Sequence, residues 1–323
     1  PRNFLSAMSK TLLASASVAN AGIMIPAGDW TVDINGNVNA YATSTRAKDA
    51  EACTAGGATF GCLANTKVGG EKDYNAIGTG LLPAWLGVTG TTRQNDTDVS
   101  FNISMQPNVS DNAISGDSKT PLFRTAYLSF GDKSWGSIKL GKDIGIFGSQ
   151  AILNDMTLLG VGAQVTALSG TSTTLGGIGT GYIYAAWKGQ VAYTTPNMNG
   201  FQATVGLTNP NMGGLTTSQD RFGFEGKASY SFAANDVTGK VWVSGASYDV
   251  DTKAVAAVDG FVGNASTAGA FYSAAVTANN YTASVADIGA NVNFGGIGLT
   301  GYYYTGEGVG TTAMFLQSRD SAG

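Results

Sequence analysis

Apolar and polar side chains alternate along several segments of about ten residues, and this period of two constrains the fold more than any other feature. One segment divides cleanly into two faces: Val99, Phe101, Ile103 and Met105 against Ser100, Asn102, Ser104 and Gln106. Successive side chains of a β-strand point to opposite faces, so the alternation predicts strands with one apolar and one polar face. Strands of soluble proteins average about five or six residues, whereas about ten residues cross a bilayer with tilt. No comparably long segment carries a helical apolar stripe, so the sequence predicts an all-β fold.

The composition favours a membrane β-barrel over a β-sandwich. Only 12% of the 323 residues are charged, about half the share that is usual in soluble proteins. In a barrel the apolar faces meet lipid and the polar faces line the interior, and the abundant Asn, Ser and Thr suit such an interior. The net charge of −4 argues against nucleic-acid binding. The chain has no histidine, the commonest general base and metal ligand, so we expect no enzymatic activity, metal site or cofactor.

The connections between the predicted strands alternate between short turns and long loops. Such alternation is typical of an antiparallel barrel with tight turns on one rim and long loops on the other. We expect eleven strands, at 30–42, 84–91, 98–106, 123–130, 136–142, 188–195, 201–207, 221–232, 237–248, 283–294 and 298–305. Bacterial barrels of one chain normally have an even strand number, and open sheet edges are costly in lipid. We therefore expect the complete protein to have further, C-terminal strands.

The N-terminal residues and the two cysteines indicate export. Residues 1–21 have the features of a signal-peptide remnant, with a short apolar stretch before the small-residue pattern Ala19-Asn20-Ala21. An ordinary amphipathic helix is the alternative. The partial barrel is then expected over residues 22–323. Cys53 and Cys62 lie in a Gly/Ala/Thr-rich segment, and we expect a small loop disulfide in preference to two free thiols.

Several segments, taken in order, resemble the Gram-negative general porins of the proteobacterial trimeric type. The segments are Phe123–Phe130, Trp135–Lys142, Gly189–Phe201 and Gly298–Tyr304. The resemblance implies a sixteen-stranded transmembrane β-barrel, about eleven strands of which lie in this chain. It also implies a homotrimer in the outer membrane, surrounded by lipid and lipopolysaccharide, that passes small hydrophilic solutes and ions. The third long loop of the family folds into the pore, and residues 143–187 occupy its place.

The resemblance further implies a charged constriction, with loop acids facing basic residues on the barrel wall. Matching motifs put Arg124, Lys142 and Lys188 on the basic side. Strand parity alone points Arg124 outward or to the rim and favours the polar face for Lys188. Lys142 lies at the junction of strand and loop and could be either a pore charge or a solvated rim charge. Lys139 is an additional candidate because it shares the parity of the non-apolar residues of its strand.

The acidic side and one basic position depart from the family pattern. Asp143 and Asp155 are the only acids in the third long loop. Trp85 stands where the family has an arginine, so one basic residue of the constriction is lost. We therefore expect weak selectivity that leans towards anions.

The sequence also predicts a solvated strand face and leaves an alternative function open. Arg221, Glu225 and Lys227 alternate in sign along one polar face and are expected to form a solvated, mutually neutralising surface. A secreted or surface β-rich adhesin without channel activity is the alternative function, although a sandwich gives no reason for long loops at every second connection.

Overall fold

The computed structural model describes residues 14–15, 19–46, 73–78, 80, 82–107, 122–155, 163–164, 172–173, 182–210, 221–252 and 279–309. These residues form seventeen strands and one short helix, of which β15 and β16 are the longest elements at 16 residues each. In chain order the elements are β1 Ala14–Ser15, β2 Ala19–Ala27, β3 Trp30–Val38, β4 Tyr41–Arg46, β5 Asp73–Gly78, β6 Trp85–Gln94, β7 Thr97–Gln106, β8 Leu122–Asp132, β9 Gly136–Ile144, α1 Ser149–Leu153, β10 Ala163–Gln164, β11 Ser172–Thr173, β12 Trp187–Thr194, β13 Phe201–Thr208, β14 Gly223–Ala234, β15 Val237–Thr252, β16 Asn279–Phe294 and β17 Ile297–Glu307.

Twelve of the strands form one antiparallel sheet in the order β17-β16-β15-β14-β13-β12-β9-β8-β7-β6-β3-β2, with β2 and β17 at its edges. Along this sheet the twelve strands keep their chain order. Strands β4 and β5, which form a small sheet with β1, lie in the chain between β3 and β6, and the pair β10-β11 lies between β9 and β12. Over the described ranges, no helix is long and apolar enough to cross a membrane.

Tight turns occupy every second connection of the large sheet, as the sequence predicts. Asn95 and Asp96 join β6 to β7 with φ of 47° and 61°, and Gly295 and Gly296 join β16 to β17 with φ of 53° and 81°. Positive φ at both central residues is the geometry of the type I′ turn, whose twist matches that of the flanking strands. The connections on the other rim are long, and the described part of the one from β9 to β12 meets the polar face.

The large sheet has one apolar and one polar face. Residues of the apolar face are widely exposed, among them Ile103, Val191, Val205, Val243 and Ile288. The positions between them on the same strands are polar or small and include Asn102, Ser104, Gln190, Thr204, Ser244 and Asp287. An exposed apolar face of this extent suits contact with lipid, and the opposite face suits water.

The sequence predicts eleven strands, and the large sheet has one more. Strand β2 pairs with β3 along its whole length, and its first three residues coincide with the small-residue pattern Ala19-Asn20-Ala21. The signal-peptide remnant at 1–21 stays a prediction. Strand β3 ends earlier than predicted, at Val38, because the Asn39 side chain accepts from the Gly80 amide and donates to the Leu82 carbonyl, both at 2.8 Å. Cys53 and Cys62 lie outside the described residues, so their disulfide also stays a prediction.

Candidate functional site

The chain that leaves β9 turns back onto the polar face of the sheet. The Phe147 amide donates a hydrogen bond of 2.9 Å to Oε2 of Glu225 on β14. The next amide, of Gly148, lies 3.4 Å from Oγ of Ser244 on β15. The expected inward fold of the third long loop is thus confirmed for its described part.

Helix α1 follows this contact directly. Gly148 precedes the helix in the left-handed region, with φ of 72°, which glycine adopts without strain. The Ser149 hydroxyl donates to the Ile146 carbonyl at 2.8 Å and accepts from Nζ of Lys227 at 3.1 Å. The start of the helix is therefore tied to a wall lysine.

Apolar residues of the loop cover part of the wall formed by β15, β16 and β17. One cluster contains Phe147 and Ile183 from the loop with Ala246, Tyr248, Val250, Ala283, Val285 and Val309. A second contains Ala151, Ile152, Tyr182 and Ala185, against which Tyr302 of β17 packs. The inner face of these strands is apolar where the loop covers it, because there it meets protein and not water.

Asp155 lies beyond α1 and is held by the same loop. It accepts a hydrogen bond of 2.7 Å from the Tyr182 hydroxyl. Burial raises the pKa of Tyr182 above its ordinary value, and the hydrogen bond to Asp155 raises it further. The phenol therefore stays protonated as a donor, and through Tyr182 Asp155 contacts the second cluster.

Glu225 is the centre of the polar contacts between the loop and the wall. Its Oε1 accepts from Nζ of Lys188 at 2.5 Å and from Oγ1 of Thr208 at 3.2 Å, while Oε2 takes the Phe147 amide. The side chains of Lys188 and Glu225 are 5% and 1% exposed. The predicted pore residue Lys188 thus lies on the polar face, but its charge is buried against Glu225.

Lys139 and Asp143 form a second ion pair on the polar face of β9. The Lys139 ammonium also lies 4.6 Å from the centroid of the Tyr127 ring, a cation–π distance. Asp143 accepts a further hydrogen bond of 2.8 Å from the Ile144 amide. Lys139 lies on the face that its parity predicts. Asp143, expected as a loop acid, lies within β9 on the same face, so the two charges neutralise each other.

Arg124 lies at a break in the strand pairing. Ser104 pairs with Thr125 and Met105 pairs with Phe123, so Arg124 is an extra residue between two paired positions. A β-bulge of this kind leaves the extra residue outside the alternation. The guanidinium carbon lies 5.8 Å from the centroid of the Trp187 ring at the end of the loop, so strand parity does not decide its direction.

The structure places Lys142 on the opposite face from Lys139. Its neighbours on that face are apolar, since Lys142 has the parity of Leu140 and pairs with Ala126. The exposed ammonium donates to the Phe123 carbonyl at 2.8 Å. This position on the apolar face does not bring Lys142 into the group around the loop.

Trp85 faces the polar side, at the position where the family has an arginine. It pairs with Asn37 of β3. Its ring lies over Gly87, where a Cβ atom would be 2.7 Å from Cζ3 of Trp85. A neutral aromatic ring therefore occupies this part of the wall.

Comparison with known families decides what kind of protein carries this arrangement. The family model for Gram-negative porins matches residues 7–321. The chain belongs to the Gram-negative porin family. It is an outer-membrane channel protein, and no observation supports the adhesin alternative. No curated protein matches the chain.

Three solved structures are similar to the chain, each at 14% sequence identity. The first is an anion-selective porin from Comamonas acidovorans, where the match covers 86% of this chain and 79% of that one with a TM-score of 0.45. The second is OmpT of Vibrio cholerae lacking loop L8, with 86% and 70% covered and a TM-score of 0.47. The third is Salmonella typhi OmpF in complex with daunomycin, with 88% and 82% covered and a TM-score of 0.41.

In this porin, Arg221, Glu225 and Lys227 do not form the expected solvated surface. The expectation is wrong for two of these three residues. Glu225 is buried, and Lys227 contacts the loop. Only Arg221 is exposed, and it pairs with Asp249 at 2.6 Å. Alternation assigns all three to one polar face, but only the returning loop distinguishes the covered positions from the solvated one.

Proposed function

We propose that this porin is a passive diffusion channel for small hydrophilic solutes and ions, with weak selectivity that leans towards anions. The single observation that carries the proposal is the loop that folds onto the polar face and leaves some wall charges unpaired. The charges at the narrowest point of a water-filled channel govern its ion selectivity. Because the chain has no histidine, we also propose that it carries no catalytic activity.

Two of the charged pairs cancel within the wall, and the unpaired charges set the preference. Lys139–Asp143 and Lys188–Glu225 are each close to neutral overall. Among the described residues, no carboxylate lies within ion-pair distance of Arg124, Lys227 or Lys240, which is on the polar face of β15.

Several acids offset most of this positive charge. Asp33 faces the interior from β3 and accepts from Asn35 at 2.7 Å. Asp287 lies buried and accepts from Ser244 at 2.6 Å and Tyr302 at 3.0 Å. Asp155 adds a third negative charge on the loop. The three acids equal the three unpaired cations in number, but Asp287 is only 5% exposed and out of reach of solutes. We therefore infer a small remaining preference for anions and no strong exclusion of cations.

We also propose that the porin is a homotrimer that contacts outer-leaflet lipid, including lipopolysaccharide. Membership of the family supports the trimer, and the wide apolar face supports lipid contact. Single-channel steps in groups of three would indicate the trimer, and cross-linking in detergent would measure the subunit number directly.

The test is the reversal potential of the refolded porin in a planar bilayer under a salt gradient. We expect stepwise conductance with a small potential of the sign for anion preference. Lys227→Glu should move the potential towards cations, because it reverses a charge beside the loop. Lys142→Gln is the control and should leave the potential unchanged, since this lysine lies on the other face.

Two results would contradict the proposal. A correctly folded barrel without conductance would be a plugged protein and not a diffusion channel. A shift with Lys142→Gln as large as that with Lys227→Glu would mean that the charges beside the loop do not set selectivity.

A further inference from the structure

We infer that Glu225 is the positioning residue of the constriction loop, and that Lys188 acts as its buried counterion and not as a charge that solutes meet. The inference rests on the proposed channel function, because it assigns the width of that channel to one wall residue. The contacts join loop residues Phe147, Gly148 and Ser149 to wall residues Glu225, Ser244 and Lys227.

Glu225 directs its hydrogen-bonding capacity at the loop. The carboxylate accepts from Lys188, Thr208 and the Phe147 amide. With 1% of its side chain exposed, it has no surface left for a solute. A buried carboxylate is stable only when it is paired and hydrogen-bonded, and here the backbone of the loop supplies one of the required donors.

The contacts between the loop and the wall come from consecutive residues of the loop. Three consecutive loop residues meet the wall, and two of their wall partners, Lys227 and Ser244, are directly paired across β14 and β15. Ser244 in turn donates to Asp287 on β16 at 2.6 Å. The loop is therefore hydrogen-bonded to β14 and β15 directly and to β16 through Ser244. These contacts with three neighbouring strands fix the direction in which α1 enters the interior.

The loop approaches β13 of the wall closely beside Glu225. Gly206 pairs with Glu225 across β13 and β14. A Cβ atom at Gly206 would lie 2.7 Å from Cδ1 of the loop residue Ile146. The wall is thus shaped to admit the loop at the level where Glu225 holds it, and a displaced loop would open space at this level.

The experiment compares Glu225→Gln with the unaltered porin in planar bilayers and in liposome swelling with sugars of increasing size. Gln keeps the side-chain size but replaces one acceptor oxygen by an NH2 group, which then faces either the Lys188 ammonium or the Phe147 amide. We expect a shift of the size limit to larger sugars and increased noise in the open channel. Lys240→Gln removes a charge from the same face, and Lys240 makes no hydrogen bond or ion pair with the described part of the loop, so it should change only the reversal potential.

Ser244→Ala provides a second variant if Glu225→Gln fails to fold. It removes a neutral contact to the Gly148 amide, and a smaller shift of the size limit in the same direction is expected. Folded channels of Glu225→Gln, or of Ser244→Ala in its place, with the original size limit and noise would overturn the inference. Absence of conductance in the unaltered porin would instead overturn the proposed function, so the two failures are distinguishable.

Discussion

Replacement of Lys188 by methionine should destabilise the porin more than any removal of an exposed charge. Methionine has a similar length and no charge, so it leaves the Glu225 carboxylate buried without its counterion. Removal of one partner from a buried ion pair costs about 3–5 kcal/mol of unfolding free energy. The low exposure of both side chains, 5% and 1%, places this pair in that class.

Arg221→Met is the matched control. Arg221 pairs with Asp249 at a similar distance, but their side chains are 69% and 33% exposed. Water screens such a pair, and exposed pairs contribute about 0–1 kcal/mol. The two variants thus remove one cation each from a geometrically similar ion pair and differ in burial.

The assay is urea unfolding of the porin in lipid vesicles at neutral pH, followed by tryptophan fluorescence. We expect the midpoint to fall strongly for Lys188→Met and little for Arg221→Met. Addition of Glu225→Leu to Lys188→Met should recover part of the loss, because the unpaired charge disappears while the Phe147 amide still lacks its acceptor.

The opposite pattern would refute the reasoning. If Lys188 faced solutes, as the resemblance implies, Lys188→Met would shift the reversal potential and leave the midpoint near that of Arg221→Met. Equal losses for both variants would likewise show that burial does not decide the effect.

Two further predictions test the faces and the packing of the sheet. Val243→Lys puts a charge on the apolar face and should cost about 2–4 kcal/mol if that face meets the middle of the bilayer. Asn293→Lys is the control on the polar face, where its direct partners Thr238 and Gly298 are uncharged, and it should leave stability nearly unchanged. Equal unfolding midpoints in vesicles would contradict the assignment of faces. Gly90→Ala should destabilise the porin by about 1–3 kcal/mol through overpacking, because the added Cβ would overlap the Phe101 ring. Gly301→Ala is the control, since its Cβ would meet nothing within 4 Å. Both variants are unfolded in urea, and a midpoint for Gly90→Ala no lower than that for Gly301→Ala would show that the ring moves aside freely.

Most strands could be predicted from the sequence because the boundary between lipid and water acts on each side chain separately. Strand β7, at Thr97–Gln106, differs by one residue from its prediction. Strand β2 was missed because its inward positions include Met24 and Pro26, which weaken the alternation, and because its first residues fit a cleavage pattern. The extra residue at Arg124 was also beyond reach, since a bulge changes the parity of a strand without changing its composition.

The sequence by itself determined the fold class, the alternation of turns and loops, and the face on which most side chains lie. These are local properties, because the period of two holds within each strand regardless of its neighbours. The roles of the charged residues were decided only by the tertiary structure. Lys188 and Glu225 are 37 residues apart in the chain, and their burial depends on which strands become neighbours and where the loop returns. Whether a lysine is a pore charge or a buried counterion is therefore a property of the assembled sheet and loop, since burial and pairing arise from contacts between distant segments.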